Sequence, residues 1–90
     1  MIEIDFDPAK NEANIAKHGI DMASAQAFDF ETALLRIDTR QRYDEIRYVA
    51  TGYLGERLHV LVFTRRGRKV RVIGLRKANR REAKQYREKA

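Results

Sequence analysis

The chain opens with apolar and acidic residues in alternation, and a helix signal follows directly. Residues 2–6 have Ile or Phe at every second position with acids between them, the pattern of a short strand. Asp7 is suited to cap a helix, and Pro8 suits a first helical position because its φ angle is already helical. The pattern predicts an α-helix from Pro8 to about His18, which Gly19 ends in the left-handed conformation.

A second, shorter helix is predicted from about Met22 to Phe28, with Asp21 as its N-terminal cap. The first helix has only a thin apolar stripe, which consists of Ala9, Ala13, Ala16 and Ile20. We expect the two helices to form a hairpin that packs on a sheet through these apolar sides.

From Ala33 onward the apolar period changes to two residues, which indicates strands. Two short gaps that contain glycine, 55–56 and 65–67, separate the later strands and predict hairpins of antiparallel neighbours. The polar run 38–44 is expected to be an exposed loop. The predicted strands are about 33–37, 47–54, 57–64 and 68–75.

The hairpin gaps also predict a register, in which Val49, Thr51 and Tyr53 pair with Leu58, Val60 and Val62. Tyr53 is expected in the core, and Val70 and Val72 are expected to extend the same face. A shift by one residue would bury Lys69 and Arg71, which costs free energy. The opposite face would carry Tyr48, Ala50, Gly52, His59, Leu61, Phe63, Lys69 and Arg71.

The last helix is predicted to begin after Asn79 and to run to about Lys89. Asn79 and Glu82 have the spacing of a capping box, in which each side chain bonds the backbone amide of the other residue. The order of elements indicates an α+β fold in a single small domain of residues 1–90. We expect an antiparallel sheet of about four to five strands, two N-terminal helices and a basic C-terminal helix.

Positive charge is concentrated at one end of the sequence. Residues 65–90 hold twelve of the nineteen Lys and Arg against two acids, so this segment carries +10 and the rest of the chain −4, which gives the net charge of +6. Such a division favours a polyanionic partner, and a phosphate backbone is the commonest one. A solvated surface or a contact with another subunit is the alternative.

The usual signs of metal or acyl-transfer chemistry are missing from the sequence. It has no cysteine, no metal-ligand spacing, no phosphate-binding glycine loop and no nucleophile elbow, so we expect no metal and no cofactor. It has no signal sequence at its start and no apolar run long enough to span a membrane, so a cytoplasmic location is expected. Arg, Lys, Tyr and His remain, and they suit RNA, which supplies its own nucleophile in the 2′-hydroxyl.

Two residues have competing interpretations. His59, in the middle of a strand, is either an acid–base group or an ordinary packed histidine. Glu45 is either a proton acceptor or the partner of Arg47 across the strand, and we prefer the partner.

At this point the sequence resembles the BrnT family of toxins over essentially its whole length. The most specific parts are the Lys-His-Gly element at residues 17–19 and the Arg-x-Ala-x-x-x-Glu-x-x-x-Tyr element at residues 76–86. The resemblance implies a RelE-like fold and a metal-independent ribonuclease that blocks translation. It also implies neutralisation by a BrnA-like antitoxin that binds operator DNA through a ribbon-helix-helix domain. Further matching positions are Phe6-Asp7, Lys10, Asn14, Ile20, Ala25, Phe28-Asp29, Glu45-x-Arg47, Gly52 and Thr64.

Arg76 is the first candidate for a cation at the scissile phosphate, because it ends a strand just before the capped helix. In the predicted register Arg47 and Arg65 lie at one end of the sheet and Arg76 at the other, so either the cleft follows the sheet or one group binds the antitoxin. The predicted catalytic residues are Arg76, Arg47, Arg65 and His59, and the predicted RNA-binding residues are Lys69, Arg71, Arg80 and Arg81.

Three functions therefore fit the sequence. The first is a toxin that cleaves RNA. The second is a non-catalytic protein that binds RNA or the ribosome, and the third is a module that binds an acidic protein partner. Under the first, part of the basic segment would hold RNA and part would be covered by the antitoxin.

Overall fold

Within residues 2–40 and 44–89, the part of the chain that the structure describes, the computed structural model contains five strands and three helical segments. The strands are β1 (Glu3–Phe6), β2 (Leu34–Ile37), β3 (Tyr48–Leu54), β4 (Arg57–Arg66) and β5 (Lys69–Lys77). The helical segments are α1 (Pro8–His18), a 3₁₀ helix (Met22–Ala27) and α2 (Arg80–Lys89).

The strands form one mixed sheet in the order β1-β5-β4-β3-β2. Strands β2 to β5 are an antiparallel meander, and the hairpin gaps predict the pairing of its last three strands. β1 instead runs parallel to β5, with Ile4 beside Val70 and Phe6 beside Val72. The prediction of an entirely antiparallel sheet was wrong, because the first and last strands become neighbours only through a long connection, which permits parallel pairing.

The first helix has its predicted bounds and caps. The Asp7 carboxylate accepts a hydrogen bond from the Ala9 amide at 3.0 Å, and Gly19 ends the helix with a φ of 70°. The second segment, predicted to be a helix through Phe28, is a 3₁₀ helix that ends at Ala27. The N-terminal region therefore has one α-helix and one tighter turn of helix rather than two α-helices.

The helix α1 is not attached to the sheet through the predicted alanine stripe. Ala9, Ala13 and Ala16 are exposed, and the buried residue of the helix is Asn14. Its amide nitrogen donates hydrogen bonds to the carbonyl oxygens of Ile20 and Leu75, each at 2.9 Å, and its Oδ1 accepts one from the Leu75 amide at 3.2 Å. A polar side chain thus holds the helix on β5.

Each face of the sheet has its own apolar cluster. The face that carries α1 and the 3₁₀ helix, called here the α1 face, is packed around Met22, Ala25, Phe28, Ala50, Leu61, Phe63, Val70, Val72 and Leu75. The opposite face, called the α2 face, is packed around Val49, Leu58, Val60, Ala78 and Tyr86. Tyr53, which we predicted in the core, is 38% exposed and lies edge-on to Tyr86.

The register between β3 and β4 is the predicted one, with Val49 opposite Val62, Thr51 opposite Val60 and Tyr53 opposite Leu58. None of the three helical segments in residues 2–40 and 44–89 is long and apolar enough to span a membrane.

The register between β4 and β5 differs from the prediction. The turn has two residues rather than three, since Arg66 pairs with Lys69, and a bulge leaves Ile73 as an extra residue in β5. Because of the shorter turn, Val70 and Val72 lie on the α1 face, and Lys69 and Arg71 lie on the α2 face. The burial cost expected for that arrangement does not arise, because Arg71 lies beside edge strand β1 and keeps a partly exposed side chain.

Candidate active site

Arg76 and Glu82 form a bidentate ion pair at the junction of β5 and α2. Both terminal nitrogens of Arg76 donate to the Glu82 carboxylate, Nη1 to Oε1 and Nη2 to Oε2, at 2.8 Å each. Glu82 Oε1 also accepts a hydrogen bond from the Asn79 amide at 2.9 Å, and the Glu82 amide donates to Asn79 Oδ1 at 2.8 Å. The predicted capping box is therefore confirmed, and its carboxylate also fixes the arginine.

The ion pair stabilises the charged form of each partner. The hydrogen bond from Arg76 is the main cause that lowers the pKa of Glu82, and the same contact raises the pKa of Arg76. The Arg76 side chain remains 39% exposed. A ligand phosphate can consequently reach a guanidinium whose orientation is already fixed.

Arg71 lies on the same face of the sheet as Arg76. It is opposite Thr64 on β4 and beside Asp5 on β1, whose Oδ2 accepts a hydrogen bond from Arg71 Nη1 at 2.7 Å. This contact is the main cause that lowers the pKa of Asp5 and raises that of Arg71. Lys69 lies two residues earlier on this face and is exposed. The two predicted RNA-binding residues of β5 thus share the face of Arg76.

Arg47 extends this basic surface. The Thr64 hydroxyl donates to the Ile46 carbonyl oxygen at 2.7 Å, and continuation of the β3–β4 register places Arg47 opposite Thr64. Arg76 is opposite Val60, four residues away along β4, which corresponds to roughly 13 Å. Arg47 and Arg76 therefore lie along one face, and the separation predicted between them along the sheet is observed. We call Arg47, Lys69, Arg71 and Arg76 the basic face.

The structure does not bring the other two predicted catalytic residues to the basic face. Arg65 pairs with Val70 and is exposed on the α1 face, where it borders an apolar groove beside Phe30 and Tyr48. His59 is also on the α1 face and is only 6% exposed, with its Nδ1 2.9 Å from the Arg57 carbonyl oxygen.

Two further sequence interpretations can be compared with the structure. Arg80 and Arg81 are exposed on the first turn of α2, and Arg80 borders a groove between α2 and the β3–β4 turn. Glu45, predicted as the partner of Arg47, contacts Arg66 Nη2 at 3.2 Å.

Within the two described ranges, no three His, Asp or Glu side chains gather closely enough to hold a metal ion. The charged groups at the candidate site are guanidiniums, one ammonium group and the carboxylates that contact them. Such groups bind phosphate oxygens and stabilise negative charge.

Sequence reasoning missed two relationships. Asn14 was noted only as a matching family position, and no local signal in the sequence distinguishes it from Asn11 on the same helix. Glu82 was predicted as a cap, and its contact with Arg76 was not foreseen. A guanidinium that ends a strand just before a capping box is the signal that could have indicated it.

A small α+β domain with a cationic sheet face beside its last helix is the class of protein that this geometry defines. The chain belongs to the BrnT family, because the family model described as "Ribonuclease toxin, BrnT, of type II toxin-antitoxin system" matches residues 6–82. The fold is similar to the crystal structure of the Brucella abortus ribonuclease toxin BrnT, with a TM-score of 0.68 and 27% identity. That similarity covers 89% of this chain and 100% of the other. No curated protein matches the sequence.

Proposed function

We propose that this chain is a metal-independent endoribonuclease toxin that holds an RNA strand along its basic face and cleaves it beside Arg76. The observation that carries the proposal is the geometry of Arg76, whose two terminal nitrogens already bind two oxygens of one carboxylate. A phosphate presents two oxygens at similar spacing, so the same guanidinium can bind it in the same manner. Glu82 occupies the place that the scissile phosphate would take.

The reaction needs no nucleophile from the protein. The 2′-oxygen of the ribose attacks the adjacent phosphorus as it loses its proton, and the bond from phosphorus to the 5′-oxygen of the next nucleotide breaks. The products are a 2′,3′-cyclic phosphate and a 5′-hydroxyl, which takes up a proton. Arg76 stabilises the negative charge that increases on the phosphoryl oxygens in the transition state.

The other cations of the basic face position the strand. Arg71 and Lys69 lie on β5 and Arg47 lies across Thr64, so they can contact phosphates on one side of the scissile bond. Arg71 is held by Asp5, which fixes its direction before RNA binds. His59 is not part of this mechanism because it is buried on the opposite face.

Cleavage of cellular RNA would inhibit translation, and the substrate implies a cytoplasmic site of action. A BrnA-like antitoxin would neutralise the toxin and would bind operator DNA through a ribbon-helix-helix domain. The charge of +10 on residues 65–90 supports an acidic antitoxin segment, since that segment would compete with RNA for the same cations. Membership of the BrnT family supports the antitoxin partner.

The test is cleavage of a defined RNA by the purified protein in EDTA, with Arg76→Ala as the variant and Arg68→Ala as the matched control. Arg68 is an exposed arginine in the β4–β5 turn, and it borders the apolar groove of the α1 face rather than the basic face. We expect cleavage by the wild type and by Arg68→Ala, a loss of about a hundredfold or more in Arg76→Ala, and no cleavage of 2′-O-methyl RNA. Loss of cleavage in EDTA, full activity of Arg76→Ala, or cleavage of the methylated RNA would contradict the mechanism.

A second candidate is a non-catalytic protein that binds RNA or the ribosome. One observation favours it: the mid-strand histidine His59, the predicted acid–base group, lies away from the basic face. Such a protein would bind RNA with a steep salt dependence and leave it intact. Intact RNA after prolonged incubation with bound wild-type protein would select this candidate.

A further inference from the structure

A basic groove lies between the first turns of α2 and the β3–β4 hairpin. It is bordered by Arg57 at the start of β4, by Arg80 and Arg87 on α2, and by Tyr53 near the end of β3. The Ala78 amide donates a hydrogen bond to the Leu58 carbonyl oxygen at 3.0 Å, which holds the start of α2 against the hairpin. We call this site the Arg57 groove.

The charges of the Arg57 groove differ from those of the basic face. Within residues 2–40 and 44–89, Arg57, Arg80 and Arg87 form no ion pair, whereas Arg71 and Arg76 each contact a carboxylate. Glu56 is the acidic residue that borders the groove, so its side chains have a net charge of +2. Three guanidiniums without acidic partners repel one another, and a bound polyanion removes that repulsion.

An aromatic ring is fixed at the same groove. Tyr53 is 38% exposed, and its ring contacts Tyr86 edge to face with the centroids 5.6 Å apart. The Tyr86 hydroxyl donates to the Thr32 carbonyl oxygen at 3.0 Å, which holds the supporting ring in place. An exposed, supported ring among guanidiniums is the combination with which proteins bind single-stranded nucleic acid, because bases stack on the ring while cations bind phosphates.

Asn79 connects the groove to the candidate active site. This residue borders the Arg57 groove, and its amide donates to the carboxylate of Glu82, which holds Arg76. A strand bound at Arg76 can therefore pass around the start of α2 into the groove.

We propose that the Arg57 groove binds the single-stranded RNA that flanks the scissile nucleotide, with phosphates on Arg57, Arg80 and Arg87 and a base stacked on Tyr53. The substrate class rests on the proposed ribonuclease function, but the groove binds RNA whether or not the chain cleaves it. The chemistry favours RNA over a protein segment here, because three cations and an exposed aromatic ring border the same groove.

Binding is tested with a single-stranded 2′-O-methyl RNA of about ten nucleotides, which the proposed 2′-hydroxyl mechanism cannot cleave. Fluorescence anisotropy over a range of salt compares the wild type with the triple variant Arg57→Gln, Arg80→Gln, Arg87→Gln. The matched control removes the same charge from exposed cations elsewhere, Lys10→Gln, Lys17→Gln, Arg68→Gln. We expect the groove variant to bind about tenfold or more weakly than the control, with a salt slope smaller by about two.

Stacking is tested separately by comparing Tyr53→Leu with Tyr53→Phe, which keeps the ring. We expect Tyr53→Leu to weaken binding about five- to tenfold and Tyr53→Phe to bind within about twofold of the wild type. Thermal unfolding by circular dichroism of each variant verifies that it folds. A groove variant that binds as well as its control would overturn the proposal. Equal binding by Tyr53→Leu, together with equally tight binding of a polyglutamate peptide, would assign the groove to an acidic protein instead.

Cleavage of ordinary RNA separates this proposal from the proposed function. We expect the groove variant to raise KM about tenfold with kcat within about twofold, since the groove holds flanking RNA and not the reacting atoms. If the wild type does not cleave RNA but the groove variant still binds it more weakly, the proposed ribonuclease function is wrong and the RNA-binding groove is supported. If the groove variant binds RNA as the control does, and cleavage still depends on Arg76, the RNA-binding groove is wrong and the proposed ribonuclease function is supported.

Discussion

The carboxylate of Glu82 binds both terminal nitrogens of Arg76 at 2.8 Å and at the same time caps α2 through the Asn79 amide. One side chain thus connects the end of β5 to the start of the last helix and also fixes the orientation of the candidate catalytic arginine. The contact also means that a phosphate must displace a carboxylate in order to bind Arg76. Both consequences can be measured.

Substitution Glu82→Gln should strengthen the binding of uncleavable RNA. The neutral amide competes less well for Arg76 and does not repel a phosphate, and an exposed ion pair is worth up to about 1 kcal/mol, which corresponds to about fivefold in affinity. Glu88→Gln is the matched control, because Glu88 is an exposed acid on the same helix and the same charge is removed. We expect the affinity of Glu82→Gln for 2′-O-methyl RNA to exceed that of Glu88→Gln by about threefold or more. Equal affinities would mean that Glu82 does not compete with phosphate.

The stability difference between the wild type and Glu82→Gln should depend on pH in a defined direction. The pKa of Glu82 in the folded protein lies below its ordinary value of 4.5, mainly because of the hydrogen bond from Arg76. The unfolded chain therefore takes up this proton first as the pH falls, so the stabilisation is fully present well above pH 4.5 and declines below it. Urea unfolding of both proteins from pH 7 to pH 3 should show a difference in the free energy of unfolding that is constant near neutral pH and decreases below pH 4.5. Groups that titrate in both proteins contribute equally and cancel in this difference. A difference in the free energy of unfolding that increases toward acidic pH would contradict the assignment.

Much of the fold could be predicted because the signals that mark its elements are local. Asp7 and Gly19 act within a few residues of the helix ends that they define, and the same holds for the capping box of α2. The bulge at Ile73 was not predictable, because residues 72–75 are Val, Ile, Gly and Leu, so no polar position marks the change of phase. The shorter turn reversed the faces predicted for Val70 and Arg71, and the bulge brings Arg76 to the same face as Arg71.

The candidate site was predicted less well, because its members depend on which face of the sheet each strand position occupies. Arg76 lies at a strand end next to a helix cap, and that position is visible in the sequence. The burial of His59 and the direction of Arg65 depend on the packing of distant elements on the α1 face. Tyr53 was assigned to the core from its alternation, and its exposure follows from where α2 packs.

Substitution Asn14→Ala should destabilise the protein more than its small change in volume suggests. It leaves the carbonyl oxygens of Ile20 and Leu75 and the Leu75 amide without the hydrogen bonds that Asn14 provides. Buried groups that lose their partners cost about 1–3 kcal/mol each at most, and partial access of water reduces the sum, so we expect a loss of about 2–3 kcal/mol in the free energy of unfolding. Urea denaturation measures it.

The control for Asn14→Ala is Gln85→Ala, which removes an exposed amide side chain from α2. We expect it to change the free energy of unfolding by less than about 0.5 kcal/mol. Similar losses in the two variants would show that the Asn14 contacts do not stabilise the attachment of α1 to β5.

Two glycines of the sheet should respond oppositely to the addition of one methyl group. A Cβ at Gly52 would lie 2.9 Å from both Ala33 Cβ and Phe28 Cζ and 3.1 Å from the Asp29 carbonyl oxygen, whereas a Cβ at Gly74 would meet nothing within 4 Å. The Asp29 backbone is itself held by a hydrogen bond from its amide to the Tyr53 carbonyl oxygen at 3.0 Å, so it cannot easily move away.

We therefore expect Gly52→Ala to lower the free energy of unfolding by about 1–3 kcal/mol through overpacking. Gly74→Ala should leave it unchanged or raise it by up to about 1 kcal/mol, because alanine restricts the unfolded chain more than glycine does. Urea denaturation of the two variants beside the wild type measures both effects. Equal unfolding midpoints for the two variants would mean that the segment around Asp29 does not pack against β3 as closely as the structure shows.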